Sequence, residues 1–249
     1  MLAILRILMG PVLLSQGKKV RRDILRMPEP DGTREGEQGD GPPLSVLLLG
    51  DSAMAGVGVP TQETALSGQL IRRLSKRSKI RWRLLAKTGW TTQDGLDALA
   101  ELPRESYDTV LISLGVNDVT TEVATDRWLT RYAQIVNRLQ QGHAAQQIIA
   151  CALPPMDKFT ALPQPLRWYL GQRAKRMDKA LARWAAGSPA VTHLAFDTTL
   201  DPADMAEDGF HPGPRVYEAW AEKAAAIIPY RAVPRHFSGS PEPQISMTP

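Results

Sequence analysis

The 249-residue chain has a single cysteine, Cys151, so no disulfide can form within it. Histidine, cysteine and carboxylate side chains do not recur anywhere at the spacing of metal ligands. Cys151 follows a short apolar run and is expected to be a small residue of the core. The sequence therefore predicts no metal site, and its cysteine usage gives no sign of an oxidising compartment.

A nucleotide cofactor is not expected either. The glycine-containing stretch from Gly56 to Pro60 lacks the third glycine of a dinucleotide-binding loop. It also has a proline where the following helix should begin. No cofactor is predicted.

Positive charge is only slightly in excess. The chain has 30 basic and 26 acidic residues, a net charge of +4 and an isoelectric point near 9.3. The densest basic stretch runs from Arg72 to Arg83. Leu66, Leu70 and Leu74 recur beside it at helical spacing, so its cations are expected on the solvated face of a helix. No nucleic-acid-binding motif accompanies them, and no nucleic acid partner is predicted.

Long apolar runs are absent, and the longest candidate, Met1 to Leu14, is too short to span a bilayer. Gly10-Pro11 interrupts it, and the basic cluster 17–22 follows it, whereas a secretory signal has its charge in front. Cleaved secretion is therefore not favoured, and a cytoplasmic or peripherally membrane-associated protein is expected. Two interpretations of the arm 1–27 stand open: residues 1–26 contact an anionic membrane surface, or the arm packs on this protein or a second copy.

Short apolar runs alternate with amphipathic stretches, which predicts an α/β fold with a parallel sheet of about five strands. At 43% hydrophobic content the chain can bury one sizeable core, so residues 45–230 are expected to form one domain. Composition predicts a flexible linker at 28–44 and a flexible tail at 231–249. The expected strands are 45–50, 80–86, 108–114, 147–153 and 191–196, and the expected helices are 62–77, 92–101, 126–141, 166–186 and 214–228.

Four short motifs follow one another along the chain: Gly50-Asp51-Ser52, Gly89, Gly115 to Asp118, and Asp208 to His211. Ser52 comes just after an expected strand, and Gly50 lets the chain turn sharply there. Asn117 follows another expected strand in the same way. Both side chains are therefore expected at the carboxyl edge of one parallel sheet, which is where open α/β sheets bind ligands.

These residues supply the parts of a serine esterase. A serine hydroxyl needs an imidazole to take its proton and a carboxylate to orient that imidazole, roles that Ser52, His211 and Asp208 can fill. A tetrahedral oxyanion needs preorganised donors. The backbone amides of Ser52 and Gly89 and the side-chain amide of Asn117 can serve as those donors.

The ordered set resembles the SGNH hydrolases, also called GDSL esterases and lipases, over roughly Val46 to Ile228. The resemblance implies a three-layer α/β/α flavodoxin-like fold and a carboxylic ester hydrolase. Carried over residue by residue, it implies Ser52 as nucleophile, His211 as base, Asp208 as its partner, and Ser52, Gly89 and Asn117 as oxyanion donors. The first motif reads Gly-Asp-Ser-Ala where many members have leucine after the serine, a position that packs rather than reacts.

Each motif alone also fits an ordinary turn or helix cap, and only the ordered set favours catalysis. Asp51 and Asp118 compete with Asp208 as the partner of His211. The three-residue spacing favours Asp208, because one turn can bring both side chains together. The chain's remaining histidines have no carboxylate at that spacing: His143, His193 and His236.

The segment 153–169 follows an expected strand on the catalytic edge and is rich in apolar side chains. Two interpretations stand open: these side chains line an acyl or alcohol pocket, or they cover the core. The side chains concerned are Met156, Phe159, Leu162, Trp168 and Tyr169.

The expected reaction is hydrolysis of short- to medium-chain acyl esters of small molecules through an acyl-enzyme on Ser52. An O-acetyl carbohydrate deacetylase, a thioesterase or a lysophospholipase with the same triad stays open. A membrane-associated binding protein that retains the fold is a further alternative, which the intact set of residues disfavours. Neither the natural ester nor the oligomeric state follows from the sequence.

Overall fold

A six-stranded sheet forms the centre of the molecule. In the computed structural model, which describes residues 2–196 and 201–229, its strands are β1 (Glu35–Gln38), β2 (Pro43–Gly50), β3 (Lys79–Ala86), β4 (Thr109–Ser113), β5 (Gln147–Cys151) and β6 (Val191–Leu194). They lie in the order β1-β3-β2-β4-β5-β6. β2 to β6 are all parallel, and β1 pairs antiparallel with β3 at the edge. The expected α/β fold is confirmed, with one strand more than the five predicted.

Helices cover both faces of this sheet. They are α1 (Leu2–Asp23), α2 (Ser52–Ala55), α3 (Leu66–Leu74), α4 (Thr92–Glu101), α5 (Val116–Thr120), α6 (Thr125–His143), α7 (Leu166–Ala186) and α8 (Pro214–Ile227). Alternate strand residues point to opposite faces. Leu47 and Leu49 pack with α4, α6 and α7, while Val46 and Leu48 pack with α3 and α8. The result is the three-layer α/β/α arrangement that the family resemblance implies.

Most expected elements lie within a few residues of the observed ones, and α4 and α7 have the predicted bounds. The helix expected at 62–77 is shorter, because the Gln62 carbonyl accepts the amides of Ala65 and Gly68 in a turn. The Gln62 side chain also donates to the Ala55 carbonyl, 2.8 Å away. These contacts fix residues 61–65 as a loop in front of α3.

Part of the expected linker 28–44 is regular structure, which corrects that expectation. β1 lies within it. The backbone carbonyl of Arg34, the residue before β1, accepts the Leu84 amide at 2.6 Å. All four residues of β1 are exposed, so an apolar alternation that would reveal the strand is missing. An exposed edge strand and a polar linker are both rich in polar residues, so composition alone does not distinguish them.

The amino-terminal arm is mostly helical and lies against α7. Leu13 is buried, and Gln16 donates to the Gln164 carbonyl at 2.7 Å and accepts the Leu166 amide at 3.1 Å. Leu14 on the same helix is 66% exposed. In the described ranges no helix has both the length and the apolar character needed to cross a membrane. The membrane contact of this arm stays a prediction, and the tail 231–249 lies outside the described residues.

Candidate active site

Ser52 stands at the carboxyl end of β2, as expected, and begins the single turn of α2. The Asp51 side chain caps this turn by accepting the Ala53 amide at 3.1 Å. Gly50 is needed here, because an added Cβ would lie 2.3 Å from the Cβ of Met54 and 2.7 Å from the carbonyl oxygen of Ser113. The tight turn places the Ser52 side chain at the edge of the sheet.

The His211 loop precedes α8 and is built around one carboxylate. Asp208 Oδ1 accepts the backbone amides of Phe210 and His211, both at 2.9 Å. Its Oδ2 lies 2.5 Å from Nδ1 of His211. Gly209 between them has a φ of +63°, and an added Cβ would lie 2.3 Å from the Thr160 hydroxyl. A single loop therefore fixes both the carboxylate and the imidazole.

The three side chains form one hydrogen-bonded chain, because His211 Nε2 lies 2.9 Å from Ser52 Oγ. The Asp208 side chain is fully buried, and that of His211 is 15% exposed. Burial would raise the pKa of Asp208, but hydrogen bonds from the His211 side chain and from the amides of His211 and Phe210 hold it below its ordinary value. Asp208 is therefore an anion at neutral pH, in contact with the imidazole.

The two competing carboxylates have other partners. Asp118 Oδ2 accepts the amide and the hydroxyl of Thr92, both at 2.8 Å. Burial raises the pKa of Asp118 in spite of these bonds, and burial raises the pKa of Asp51 to about 7. Asp208 is thus the carboxylate that the structure places against His211.

The loops that carry Gly89 and Asn117 adjoin the Ser52 turn. Ala86 at the end of β3 and Ser113 at the end of β4 both pair with Gly50 of β2, so the three strands end level with one another. Gly89 follows β3 with a φ of +87°. Asn117 lies in α5, and its Nδ2 donates to the Trp90 carbonyl at 2.9 Å. The structure brings both predicted oxyanion donors to the carboxyl edge where Ser52 lies.

Cys151 and two of the remaining histidines stand apart from this arrangement. Burial raises the pKa of the Cys151 thiol to about 12, so it is protonated at neutral pH. His143 is buried with Nδ1 3.1 Å from the Glu105 carbonyl oxygen, and His193 Nε2 pairs with Asp178 at 2.9 Å. Within residues 2–196 and 201–229, no three histidine, cysteine or carboxylate side chains are grouped to hold a metal.

Comparison with known proteins agrees with this geometry. The model of the GDSL-like Lipase/Acylhydrolase family matches residues 48–219, which include all four motifs. The chain belongs to this family. The resemblance drawn from the motifs is therefore confirmed.

Individual relatives of this GDSL-like family member are distant. The chain is 27% identical to a GDSL-like esterase of Mycobacterium tuberculosis over 193 residues, which are 72% of this chain and 60% of that protein. It is 18% identical to the lipase Lip_vut3 from a goat rumen metagenome, with a TM-score of 0.56 over 74% of this chain and 96% of the lipase. It is 20% identical to the psychrotrophic esterase EstA from Pseudoalteromonas sp., with a TM-score of 0.55 over 73% and 94% of the two chains. The two structures show a shared fold.

In this GDSL-like chain an apolar pocket opens beside Ser52 and His211. Of the five apolar residues expected from segment 153–169, only Phe159 lines it, while Trp168 is exposed and the other three lie in the core. The remaining apolar walls come from segments that are distant from one another along the chain, so the sequence did not indicate that they meet in one pocket. Those walls include Val116, Pro154, Phe196, Met205, Phe210, Val216 and Trp220.

Proposed function

We propose that this protein hydrolyses carboxylic esters through an acyl-enzyme on Ser52. The observation that carries the proposal is the chain from Asp208 through His211 to Ser52, with contacts of 2.5 and 2.9 Å, at the mouth of an apolar pocket. Family membership supports the same chemistry. The contacts among these three side chains support nucleophilic acyl transfer.

The first half-reaction forms the acyl-enzyme. His211 Nε2 takes the proton of the Ser52 hydroxyl as Oγ attacks the ester carbonyl carbon. The anion of Asp208 holds Nδ1 protonated and stabilises the imidazolium. His211 then gives its proton to the departing alkoxide, which leaves as the alcohol, and the acyl group stays on Ser52.

The second half-reaction releases the acid. Water attacks the acyl carbonyl while His211 takes one of its protons, and the same proton returns to Ser52 Oγ as the carboxylic acid departs. In both steps the carbonyl oxygen carries negative charge. The amides of Ser52 and Gly89 and the side chain of Asn117 are the proposed donors to that oxygen.

The walls of the pocket favour a neutral acyl chain of short to medium length. They are mostly aliphatic and aromatic, with rings of Phe159 and Phe210 4.9 Å apart. In the part of the chain that the structure describes, no lysine or arginine lines this pocket. An apolar lining stabilises a buried acyl chain and offers no partner for an anionic headgroup.

Two other activities use the same three side chains: deacetylation of O-acetylated carbohydrate, and hydrolysis of thioesters or lysophospholipids. A binding protein that retains the fold is the alternative without catalysis. These candidates differ in the substrates that should be turned over, so a substrate series separates them.

The test is hydrolysis of p-nitrophenyl esters from acetate to palmitate, with Ser52→Ala as the blank. Ser75→Ala serves as the matched control, because Ser75 follows α3 at the opposite edge of the sheet. We expect turnover that is fastest on the shorter esters, is lost in Ser52→Ala and is kept in Ser75→Ala. Rates no higher than the Ser52→Ala blank on every ester would contradict the proposal and favour the deacetylase or the binding protein.

A further inference from the structure

Glu29 contacts the loop that carries Gly89. Glu29 Oε1 accepts the Thr88 amide at 2.6 Å and the Thr88 hydroxyl at 2.8 Å. Its second oxygen, Oε2, pairs with Nη1 of Arg34 at 2.7 Å. Both carboxylate oxygens are therefore used, and one of them fixes the residue that precedes Gly89.

Arg34 connects this carboxylate to the end of β3. Its Nη2 donates to the carbonyl of Ala86, the last residue of that strand, while its own carbonyl accepts the Leu84 amide at 2.6 Å. Glu29 is thus held by a residue that is itself anchored to the strand. This arrangement gives the carboxylate a defined position relative to the sheet.

The residues between Glu29 and Arg34 reach the other side of the site. The carbonyl of Asp31 accepts the Gln62 amide at 2.8 Å, and Pro30 lies so close to Gly56 that an added Cβ there would be 2.9 Å from the proline ring. Gly56 ends the helical turn that begins at Ser52. We call residues 29–34 the strap, because they join the Ser52 side of the site to the Gly89 loop.

The Gly89 loop has two further anchors. Asn117 donates to the Trp90 carbonyl at 2.9 Å, and the Lys87 amide donates to the Gly50 carbonyl at 3.3 Å. Gly89 itself is exposed, and an added Cβ would meet nothing within 4 Å. Packing around its Cα therefore contributes little, and bonds to the residues on either side of Gly89 hold it in place.

We propose that Glu29 is a positioning residue that holds Thr88, and through it the backbone amide of Gly89, in the orientation needed to stabilise the oxyanion. This inference rests on the proposed ester hydrolysis. Residues 29–34 precede the family match, which begins at residue 48. Glu29 therefore lies outside the matched region, yet it holds the loop of one of the proposed oxyanion donors.

The chemistry of Glu29 suits this role. Burial would raise the pKa of Glu29, but hydrogen bonds from the Thr88 amide, Arg34 and the Thr88 hydroxyl hold it below its ordinary value. A carboxylate that accepts a backbone amide forms a shorter and stronger hydrogen bond than a neutral acceptor. Preorganised donors are effective because they need no rearrangement as the charge develops, so loss of the anchor should lower the rate constant of the chemical step.

The test compares Glu29→Ala with Glu37→Ala, a glutamate of β1 whose ion pair with Lys79 is exposed and remote from the loop. Both are assayed on a p-nitrophenyl ester. The concentration of active enzyme is determined by titration of Ser52, so that unfolded protein is excluded from the calculation of kcat. We expect kcat of Glu29→Ala to fall by about 10- to 100-fold with KM changed by less than about twofold. Glu37→Ala should keep the wild-type kcat.

Glu29→Gln is the conservative variant, since it keeps one oxygen for Thr88 and loses the charge. We expect it to recover most of the kcat lost in Glu29→Ala. Such recovery is not expected if Glu29→Ala lowers kcat only by disturbing the fold in general. A kcat of Glu29→Ala within about twofold of Glu37→Ala, or a loss confined to KM, would overturn the proposal.

Hydrogen exchange at the Thr88 amide separates this inference from the proposed function. Faster exchange in Glu29→Ala than in Glu37→Ala supports the anchor whatever the activity of the wild type, and equal exchange overturns it. Wild-type turnover no higher than that of Ser52→Ala contradicts the ester hydrolysis itself.

Discussion

We call the loop of Asp208 and His211 the base side of the proposed site and the Gly89 loop its oxyanion side, and the two are held in place by different means. On the base side, Asp208 and His211 are three residues apart, and one loop supplies the carboxylate, the imidazole and two amides that fix the carboxylate. On the oxyanion side, the exposed Gly89 loop is anchored from 59 residues away by the Glu29 contact and from 27 residues away by the Asn117 contact. The base side is preorganised locally, and the oxyanion side depends on tertiary structure.

This difference predicts where distant substitutions affect catalysis. A change outside the His211 loop is expected to disturb the bonds of Asp208 less, because those bonds close within the loop. Substitution of Glu29 or Asn117 alters the Gly89 loop and removes none of the hydrogen bonds between Ser52, His211 and Asp208. The three predictions that follow disturb the base side, the oxyanion side and the nucleophile turn in that order.

The largest effect is expected from Asp208→Asn. The new Oδ1 can still accept the two amides, but the Nδ2 donor now faces His211 and favours the tautomer protonated on Nε2, which cannot take the Ser52 proton. We expect kcat to fall by about 10⁴-fold in steady-state ester hydrolysis.

The control is Asp178→Asn, which removes the charge from the carboxylate that pairs with His193 outside the catalytic chain. It should keep kcat within about threefold of the wild type. A comparable loss in both variants would show that the base side is not the local unit described above.

An intermediate effect is expected from Asn117→Ala, which removes a proposed oxyanion donor and the bond to the Trp90 carbonyl. We expect kcat to fall by about 10²- to 10³-fold, which is more than in Glu29→Ala, because that variant removes only an anchor. Asn137→Ala, on the exposed face of α6, is the matched control. If kcat fell no further than in Glu29→Ala, Asn117 would act as an anchor and not as a donor.

The smallest effect on catalysis is expected from Asp51→Asn. This variant should instead change how the stability of the folded protein depends on pH. Burial raises the pKa of Asp51 to about 7, so the folded protein keeps a proton that the unfolded chain releases, and stability falls as pH rises from about 4 to about 7. Asparagine can cap α2 through its Oδ1 and carries no charge. The variant should match the wild-type Tm near pH 4 and exceed it by about 5 °C near pH 8 in thermal unfolding.

Asp40→Asn, at an exposed position, is the control for the Asp51 prediction. The difference in Tm between Asp40→Asn and the wild type should not increase with pH. A Tm of Asp51→Asn that stays below the wild type at both pH values would contradict the buried, protonated state assigned to Asp51.

The contrast between the two sides also explains what the sequence could predict. The five parallel strands follow from short apolar runs, and Asp208 and His211 can be paired from their spacing alone. Glu29 gives no such signal, because its partner Thr88 is distant in sequence and the surrounding residues have the composition of a linker. The pocket walls were missed for a related reason, since Val216 and Trp220 of α8 meet Phe159 only after the chain has folded.

The measurement that tests the central claim most directly is mass spectrometry of the protein after reaction with an uncharged alkyl p-nitrophenyl phosphonate. The account predicts a single adduct on Ser52, absent from Ser52→Ala and formed more slowly in Asp208→Asn. Modification of other residues with Ser52 intact, or no modification at all, would contradict it.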